Sequence, residues 1–265
     1  MDNRPIGIFD SGFGGLTILE EYVKELPNED YIYVGDNARV PYGNKSKETI
    51  IQYSRQIIKF LISKNVKLII IACGTASANA FEVLKNEFSI PIQTVIEPIA
   101  KQIKETKIGV IATKSTIASH TWENRIHFYH PDCKIYSKAC PLFVPIVEEN
   151  LVYSDIAKLT VKYYLEDFIS WNVESLILGC THYPLLTSII RTYLPPSIKI
   201  INISQAAVQE TKRYLMNNNS LCLSKKLPER FAYTTDCVDF FKQTSKSYCS
   251  VNFHTIEKIN LENYS

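Results

Sequence analysis

Two cysteines, Cys73 and Cys180, each follow a short apolar run at the point where small or polar residues begin. They lie in the stretches IIIACGT and LILGCTH, so each thiol has a threonine within two residues. A thiolate can remove a proton from carbon, and a thiol can return one. Because inversion of a stereocentre removes a proton from one face and adds one to the other, two facing thiols would suit this reaction. The pair therefore predicts racemisation, provided that the fold brings the cysteines together.

Two titratable residues, Asp10 and His182, could assist these thiols. His182 lies two residues after Cys180, and Asp10 ends the first apolar run of the chain. Each could transfer a proton to or from a sulfur atom. The residues after Cys73 and Cys180 both permit a helix, and the N-terminus of a helix lowers the pKa of a thiol. We therefore expect a lowered pKa for both cysteines.

The glycine-rich stretch DSGFGG fits only the start of a dinucleotide-binding motif. Thr17 stands where the third glycine of G-x-G-x-x-G belongs, so Gly14 and Gly15 more plausibly let backbone N–H groups approach a small anion such as a carboxylate. Cys180 and His182 lack a second ligand pair at zinc-type spacing, and no C-x-x-C pair supports thiol redox chemistry. Neither a metal nor a nucleotide cofactor is expected.

Strand and helix patterns alternate along most of the chain. Consecutive Ile, Val and Leu residues are typical of strands buried on both faces, and they occur in PIGIFD, YIYVGD, KLIIIA, KIGVIA, ESLILG and IKIINI. Amphipathic helical patterns occur in GLTILEEYVKEL, SKETIIQYSRQIIKFLISK and SDIAKLTVKYYLEDFISW. This alternation predicts a doubly wound α/β fold with mainly parallel sheets. Ligands of such sheets bind at the carboxyl ends of the strands, where both cysteines lie.

Two short motifs recur in the same order about 100 residues later, since IGIFDS precedes IGVIAT and IIIACGT precedes LILGCTH. The recurrence predicts two similar α/β domains with the active site in the cleft between them. We expect the first domain in residues 1–97, with a boundary where Pro98 interrupts the pattern, and the second in residues 98–204. The segment 205–265 is too short for its own domain and is expected to complete the first.

Composition narrows the class of protein. The 265 residues are 46% hydrophobic and 21% charged, which indicates a globular protein with a well-developed core. The formal net charge of +2 is too small to attract nucleic acid or an anionic membrane. The apolar runs are too short to span a membrane, and no signal peptide is evident, so a cytoplasmic protein is expected. The odd cysteine count argues against a disulfide framework. The remaining thiols are expected to be packing or surface residues: Cys133, Cys140, Cys222, Cys237 and Cys249.

Five stretches resemble the signature motifs of the glutamate racemase family, in the family's order, from residue 6 to about residue 186. They are GIFDSGFGGLTIL, VGDNARVPYGNKS, IIIACGTASANA, PLFVPIVEEN and LILGCTHYPLL. The resemblance implies a cofactor-independent enzyme that interconverts L- and D-glutamate and supplies the D form for peptidoglycan synthesis. It also implies two α/β domains with the site between them, and a homodimer.

The resemblance implies roles for individual residues. Cys73 would be the base toward D-glutamate, assisted by Asp10, and Cys180 the base toward L-glutamate, assisted by His182. Glu148 would be a further polar group near the amine side of the cleft. Hydroxyl and backbone donors to the substrate carboxylates would come largely from Ser11, Pro41, Tyr42, Gly43, Thr75, Thr113, Thr116 and Thr181.

Gly74 is where the chain departs from the resembled pattern, which usually has a substrate-contacting Asn directly after the first cysteine. At this binding position only the backbone N–H of Gly74 remains. A lost hydrogen bond to a charged group is worth roughly 1.5–3 kcal/mol if nothing replaces it. Two alternatives therefore stay open. The chain could be a racemase of aspartate or another small amino acid, or a catalytically weakened protein that binds glutamate for regulation.

Overall fold

The computed structural model describes residues 2–223 and 226–265, which form ten strands and twelve α-helices. The strands are β1 (Ile6–Asp10), β2 (Tyr31–Gly35), β3 (Leu68–Ile71), β4 (Ile92–Thr94), β5 (Lys107–Ala112), β6 (Lys134–Ala139), β7 (Ser175–Leu178), β8 (Lys199–Asn202), β9 (Arg230–Thr234) and β10 (Thr255–Lys258). The helices are α1 (Leu16–Glu25), α2 (Lys47–Ser63), α3 (Gly74–Asn79), α4 (Phe81–Glu87), α5 (Glu97–Gln102), α6 (Lys114–Ala118), α7 (Thr121–Tyr129), α8 (Phe143–Glu148), α9 (Asp155–Ser170), α10 (Thr187–Tyr193), α11 (Ile203–Asn217) and α12 (Val238–Ser245).

Six strands form the first sheet, in the order β10-β9-β2-β1-β3-β4, and each neighbouring pair is parallel. Alternate residues of β3 enter different clusters of buried side chains. Leu68 and Ile70 share one cluster with residues of α1, whereas Ile69 and Ile71 share the other with residues of α2. Both faces of the sheet are therefore covered by helices, which explains why every residue of its central strands β1, β2 and β3 is buried.

Four strands form the second sheet, in the order β6-β5-β7-β8, and its pairings are also parallel. Large side chains fill its core, including Trp122 from α7 and Phe168 from α9, both fully buried. The cluster that contains Ile6 and Ile8 of β1 also contains Ile108 and Val110 of β5, so one apolar core runs across both sheets.

The predicted fold class is confirmed, because two mainly parallel sheets carry helices on their faces. All six predicted strands and all three predicted helices are present. The strands that were not predicted are β4, β6, β9 and β10. Three of these, β4, β6 and β10, are edge strands. A strand with one open edge needs fewer apolar residues, and KIYSKA of β6 has no fully buried position.

The C-terminal segment contributes β9 and β10 to the first sheet, beside β2. Pro98 lies in the first turn of α5, so it does not interrupt a regular element there. Proline suits this position because the first N–H groups of a helix have no partner within the helix. The limits 1–97 with 205–265, and 98–204, stay a prediction.

Two further expectations concern membranes and thiols. Within residues 2–223 and 226–265, no helix combines the length and the apolar character that a membrane crossing needs. All seven cysteines lie in the described part of the chain and are free thiols. Three of the five cysteines outside the predicted site, Cys140, Cys222 and Cys249, are buried, and Cys237 is exposed, as expected of packing and surface residues.

Candidate active site

Loops at the carboxyl ends of β1, β3, β5 and β7 meet around one cavity between the two sheets. Parallel strands place their carboxyl ends at the same edge, so residues distant in sequence converge there. The cavity is lined by Ser11, Val40, Pro41, Tyr42, Gly43, Asn44, Cys73, Gly74, Thr75, Thr113, Lys114, Pro141, Val144, Pro145, Glu148, Cys180, Thr181 and His182.

Twelve of the fourteen residues predicted for the site line this cavity, and the other two lie directly behind its wall. Asp10 is fully buried and accepts a hydrogen bond from the Thr181 hydroxyl at 3.3 Å. Thr116 is also buried, and its hydroxyl lies 2.9 Å from that of Thr113. These two residues therefore do not line the cavity themselves but contact side chains that do.

Cys73 is the N-cap of α3, and the backbone N–H of Ala76 donates to its Sγ at 3.5 Å. The sulfur lies 3.6 Å from the Ser11 hydroxyl. Burial, with a smaller contribution from the Asp10 carboxylate, nevertheless raises the pKa of Cys73 to about 12. The expectation of a lowered pKa is therefore wrong for Cys73. Loss of hydration of the thiolate outweighs the single N–H that this short helix directs at the sulfur.

Cys180 has a different local structure from Cys73. It follows β7, and a 3₁₀ turn over Tyr183–Leu186 separates it from α10. The expectation that Cys180 lies at an α-helix N-terminus is therefore wrong. Its nearest titratable partner is His182, whose Nδ1 lies 3.9 Å from the sulfur.

His182 bridges Cys180 and Glu148, since its other ring nitrogen, Nε2, lies 3.2 Å from Glu148 Oε1. Burial acts to lower the pKa of His182, but its contacts with Cys180 and Glu148, aided by Asp10, outweigh burial and raise the pKa to about 10. The ring is therefore protonated at neutral pH. Both ring N–H groups then donate, Nδ1–H to the sulfur and Nε2–H to the carboxylate.

Asp10 lies beneath the cavity, where it interacts with both halves of the site. Its carboxylate accepts the backbone N–H of Gly12 at 3.0 Å as well as the Thr181 hydroxyl. Burial raises the pKa of Asp10, and the charge of His182 and the Gly12 N–H oppose that shift. Burial therefore favours the protonated form of this carboxyl group, which could exchange a proton with Cys73.

Threonine hydroxyls line two sides of the cavity. The hydroxyl of Thr75, on α3, lies 2.9 Å from that of Thr113, the N-cap of α6. Thr181 lies on the opposite strand-end loop, and its backbone carbonyl accepts the Thr17 hydroxyl at 3.1 Å. These groups can donate to carboxylate oxygens without introducing a charge of their own.

The Tyr42 hydroxyl is not available to a ligand, because it donates to Asp36. Asp36 also accepts the Arg39 side chain at 2.8 Å and the Thr235 hydroxyl at 2.9 Å. The ring of Tyr42 and the neighbouring backbone are what this segment presents to the cavity. Of the predicted binding residues, Tyr42 therefore contributes shape and not a hydroxyl donor.

Six lining residues were not predicted: Val40, Asn44, Lys114, Pro141, Val144 and Pro145. Five of them lie inside motifs already singled out, so membership of a motif could have found them. Lys114 directly follows Thr113 and is exposed, and no carboxylate in the described residues forms an ion pair with it. Among those residues, no group of three or more His, Cys, Asp or Glu side chains could hold a metal ion.

Comparisons with known proteins agree on one family. Residues 10–211 match the family described as Asp/Glu/Hydantoin racemase. Glutamate racemase of Lactococcus lactis subsp. lactis is 41% identical over 100% of this chain and 99% of its own. The crystal structure of glutamate racemase from Francisella tularensis in complex with D-glutamate has a TM-score of 0.93 at 40% identity and covers 100% of both chains. That of the Bacillus anthracis isoform RacE1 has a TM-score of 0.94 at 33% identity, covering 98% of this chain and 99% of its own.

Proposed function

The chain belongs to the Asp/Glu/Hydantoin racemase family and is an amino-acid racemase, and from this we propose that it interconverts L- and D-glutamate by proton transfer at Cys73 and Cys180. One observation supports the mechanism above all. The two thiols come from corresponding strand ends of two different sheets, and both line one cavity. A carbon atom held between them would have one acid/base group on each face.

The two thiols have different surroundings, which fit different roles in this proposal. Cys73 stays a thiol because burial raises its pKa to about 12. The sulfur of Cys180 lies 3.9 Å from Nδ1 of the protonated His182 ring, which can donate to it. We therefore assign Cys180 as the base for L-glutamate and Cys73 as the donor of a proton to the opposite face.

The reaction needs no oxidant or reductant. Cys180 removes the α-proton of L-glutamate and leaves a carbanion, and Cys73 gives its proton to the opposite face. The product is D-glutamate, with a thiolate at Cys73 and a thiol at Cys180. This state acts on D-glutamate in reverse, or it returns to the first state as Asp10 and His182 relay protons to and from the sulfurs.

Substrate binding must compensate for the low acidity of the α-proton. We propose that hydroxyls of Ser11, Thr75 and Thr181 donate to the α-carboxylate and stabilise the charge that develops beside it. Thr113 and the cation of Lys114 lie toward the side-chain carboxylate. Every one of these residues lines the cavity.

Racemisation in deuterated buffer tests this mechanism. The product enantiomer should carry one α-deuterium, because its new proton comes from a thiol that exchanges with solvent. Cys73→Ser and Cys180→Ser should each lower kcat by at least about 100-fold, since a hydroxyl is a far weaker acid than a thiol. Full turnover in either variant would contradict the two-thiol mechanism.

The two alternatives that Gly74 left open have their own tests. Aspartate lacks one methylene of glutamate, a difference that a pocket typically discriminates by about 1–3 kcal/mol. A panel of enantiopure amino acids compared by kcat/KM would therefore identify the substrate. A regulatory protein would bind glutamate in calorimetry without exchanging its α-proton.

We also propose a cytoplasmic homodimer that supplies D-glutamate for peptidoglycan. Exposed apolar side chains on α9 support the dimer: Ile156, Leu159 and Tyr163 are 58%, 69% and 66% exposed, at the spacing of one helix face. Such a stripe is costly to leave in water. Leu159→Glu should convert the dimer to a monomer in sedimentation measurements, and an unchanged mass would contradict an interface through α9.

A further inference from the structure

Three glycines of the first sheet's loops lie against the loops of the second sheet. A Cβ atom on Gly43 would lie 2.8 Å from Thr113 Cβ, and one on Gly14 would lie 2.5 Å from His182 Nδ1. A Cβ atom on Gly74 would overlap the carbonyl oxygen of Gly179 and lie 3.8 Å from Cys180 Cα. Each glycine therefore occupies a place where the two halves of the site approach too closely for a side chain.

The requirement for glycine at these positions is steric. No glycine within the described residues has a positive φ, so an L side chain would meet no backbone strain at any of them. What excludes a side chain is the atom on the other side of the contact. An alanine substitution here therefore reports on the distance between the two halves and not on local backbone conformation.

Gly74 has the tightest of these contacts to backbone, because it meets Gly179 main chain to main chain. Gly179 is itself held against β5, because its N–H donates to the Ile111 carbonyl at 2.8 Å. A Cβ on Gly179 would itself lie 2.9 Å from both the Ile111 carbonyl oxygen and Trp122 Nε1. A side chain on Gly74 must therefore push the loop of Cys73 away from the loop of Cys180.

We propose that Gly74 is a positioning residue, which together with Gly14 and Gly43 forms a side-chain-free seam that sets the separation of the Cys73 and Cys180 sulfurs. This inference rests on the proposed two-thiol racemisation. It also gives the departure at Gly74 a physical meaning. In this chain the absence of a side chain at Gly74 lets the two thiols approach each other closely. Any side chain at this position, asparagine included, would increase the distance between them.

The distance between the two thiols affects racemisation, which uses both of them, but not an elimination that uses only one. Racemisation needs both sulfurs within reach of one carbon, and a misplacement of about 1 Å can cost about 100-fold. Elimination of chloride from 3-chloroglutamate needs only one thiolate. The thiolate takes the α-proton, the C–H electron pair forms the double bond, and chloride leaves with the C–Cl pair. The enamine product hydrolyses to 2-oxoglutarate and ammonia.

The test compares these two reactions in wild type, Gly74→Ala, Gly74→Asn and a matched control, Gly109→Ala. A Cβ on Gly109 would lie 2.7 Å from Phe168 Cδ1, in the core of the second sheet and away from the cavity. We expect both Gly74 variants to lose racemisation by at least about tenfold while chloride elimination stays within about threefold. Gly109→Ala should lower Tm and leave the ratio of the two rates unchanged.

Two results would overturn the proposal. One is a Gly74→Ala or Gly74→Asn enzyme that racemises as fast as wild type. The other is a parallel loss of both reactions, as expected of a merely destabilised protein. Gly43→Ala, where the opposing atoms belong to a side chain, is a milder variant that should shift the ratio in the same direction if Gly74→Ala fails to fold. A wild-type enzyme that carries out neither reaction would instead contradict the proposed function.

Discussion

His182 is the residue whose protonation state links the two halves of the site. Its ring contacts Cys180 on one side and Glu148 on the other, and its charge also acts on Asp10 below. The protonated ring is favoured because three acidic groups surround it, although burial alone would favour the neutral form. The pH dependence of turnover from L-glutamate should therefore depend on Glu148 even though Glu148 transfers no proton in the mechanism.

We expect Glu148→Gln to move the loss of activity at high pH to a lower pH. In wild type the pKa of His182 is about 10, so the ring stays protonated well above neutrality. Glutamine removes a negative charge, which lowers that pKa, and kcat/KM for L-glutamate at pH 9 should fall roughly threefold to tenfold. The neighbouring Glu149→Gln is the matched control and should leave the profile unchanged. An identical profile for both variants would show that Glu148 does not sustain the charge on His182.

The raised pKa of His182 also makes the stability of the folded protein depend on pH. The folded pKa of His182 is raised above its ordinary value of 6.5. Its interactions therefore add stability that is fully present below about pH 6.5, declines above that pH, and is lost as the pH rises through the folded value.

Substitution of Lys114 tests whether this lysine binds the side-chain carboxylate of glutamate. We expect Lys114→Met to raise KM for glutamate roughly twofold to fivefold with little change in kcat, because exposure to solvent weakens the ion pair. Lys114→Arg keeps the charge and should restore most of the affinity. Steady-state kinetics with both enantiomers would measure the change, and an unaltered KM in Lys114→Met would remove this lysine from the binding site.

At the scale of elements, the strands that could be predicted from the sequence are those buried on both faces of a sheet. Central strands such as β1 and β3 are buried at every position, and residues of the site lie at or just after their ends. Both the sheet class and the convergence of Cys73 and Cys180 could therefore be anticipated. The edge strands β6 and β10 were missed because a half-exposed strand lacks that signal. The raised pKa of Cys73 was missed because burial of a thiol depends on tertiary packing.

A buried ion pair joins the residue before β3 to the segment before β2. Lys67 Nζ lies 2.6 Å from a Glu29 carboxylate oxygen, and both side chains are 2% exposed. Lys67 also donates to the carbonyls of Asp2 and Ser220, at 2.7 and 2.8 Å, and Glu29 accepts the N–H of Cys222 at 2.9 Å. The pair therefore holds both terminal regions against the first sheet.

We expect Lys67→Met to lower the free energy of unfolding by about 3–5 kcal/mol, because it leaves a buried carboxylate without its cation. The double variant with Glu29→Leu should be less destabilised than the single one, since no unpaired charge remains. Urea unfolding would measure both. Lys85→Met, which breaks the exposed pair with Glu82, is the control and should change stability by less than about 1 kcal/mol. Equal effects at the two lysines would contradict the assigned role.

At the scale of the whole molecule, one apolar core runs across both sheets, and the cavity lies where strand-end loops and short helices of the two halves meet. The contacts around it are polar or lack side chains, such as the hydroxyl pair Thr75 and Thr113 and the approach of Gly74 to Gly179. A ligand that fills the cavity therefore adds interactions to both halves at once. Binding should stabilise the molecule as a unit, because the unfolded chain has no such site.

Glutamate at about 100 times its Kd should add about 2.7 kcal/mol to the free energy of unfolding and raise Tm by roughly 5–10 °C. Cys73→Ser and Cys180→Ser should keep most of this shift, because hydroxyls replace thiols of nearly the same size and the carboxylate-binding groups are intact. These variants also allow each enantiomer to be studied without conversion into the other. Aspartate at equal concentration should give a smaller shift if glutamate is the substrate. If a serine variant loses the Tm shift together with turnover, the thiols contribute to binding itself. If the wild-type enzyme gains no stability from glutamate, the cavity is not a ligand site that joins the two halves.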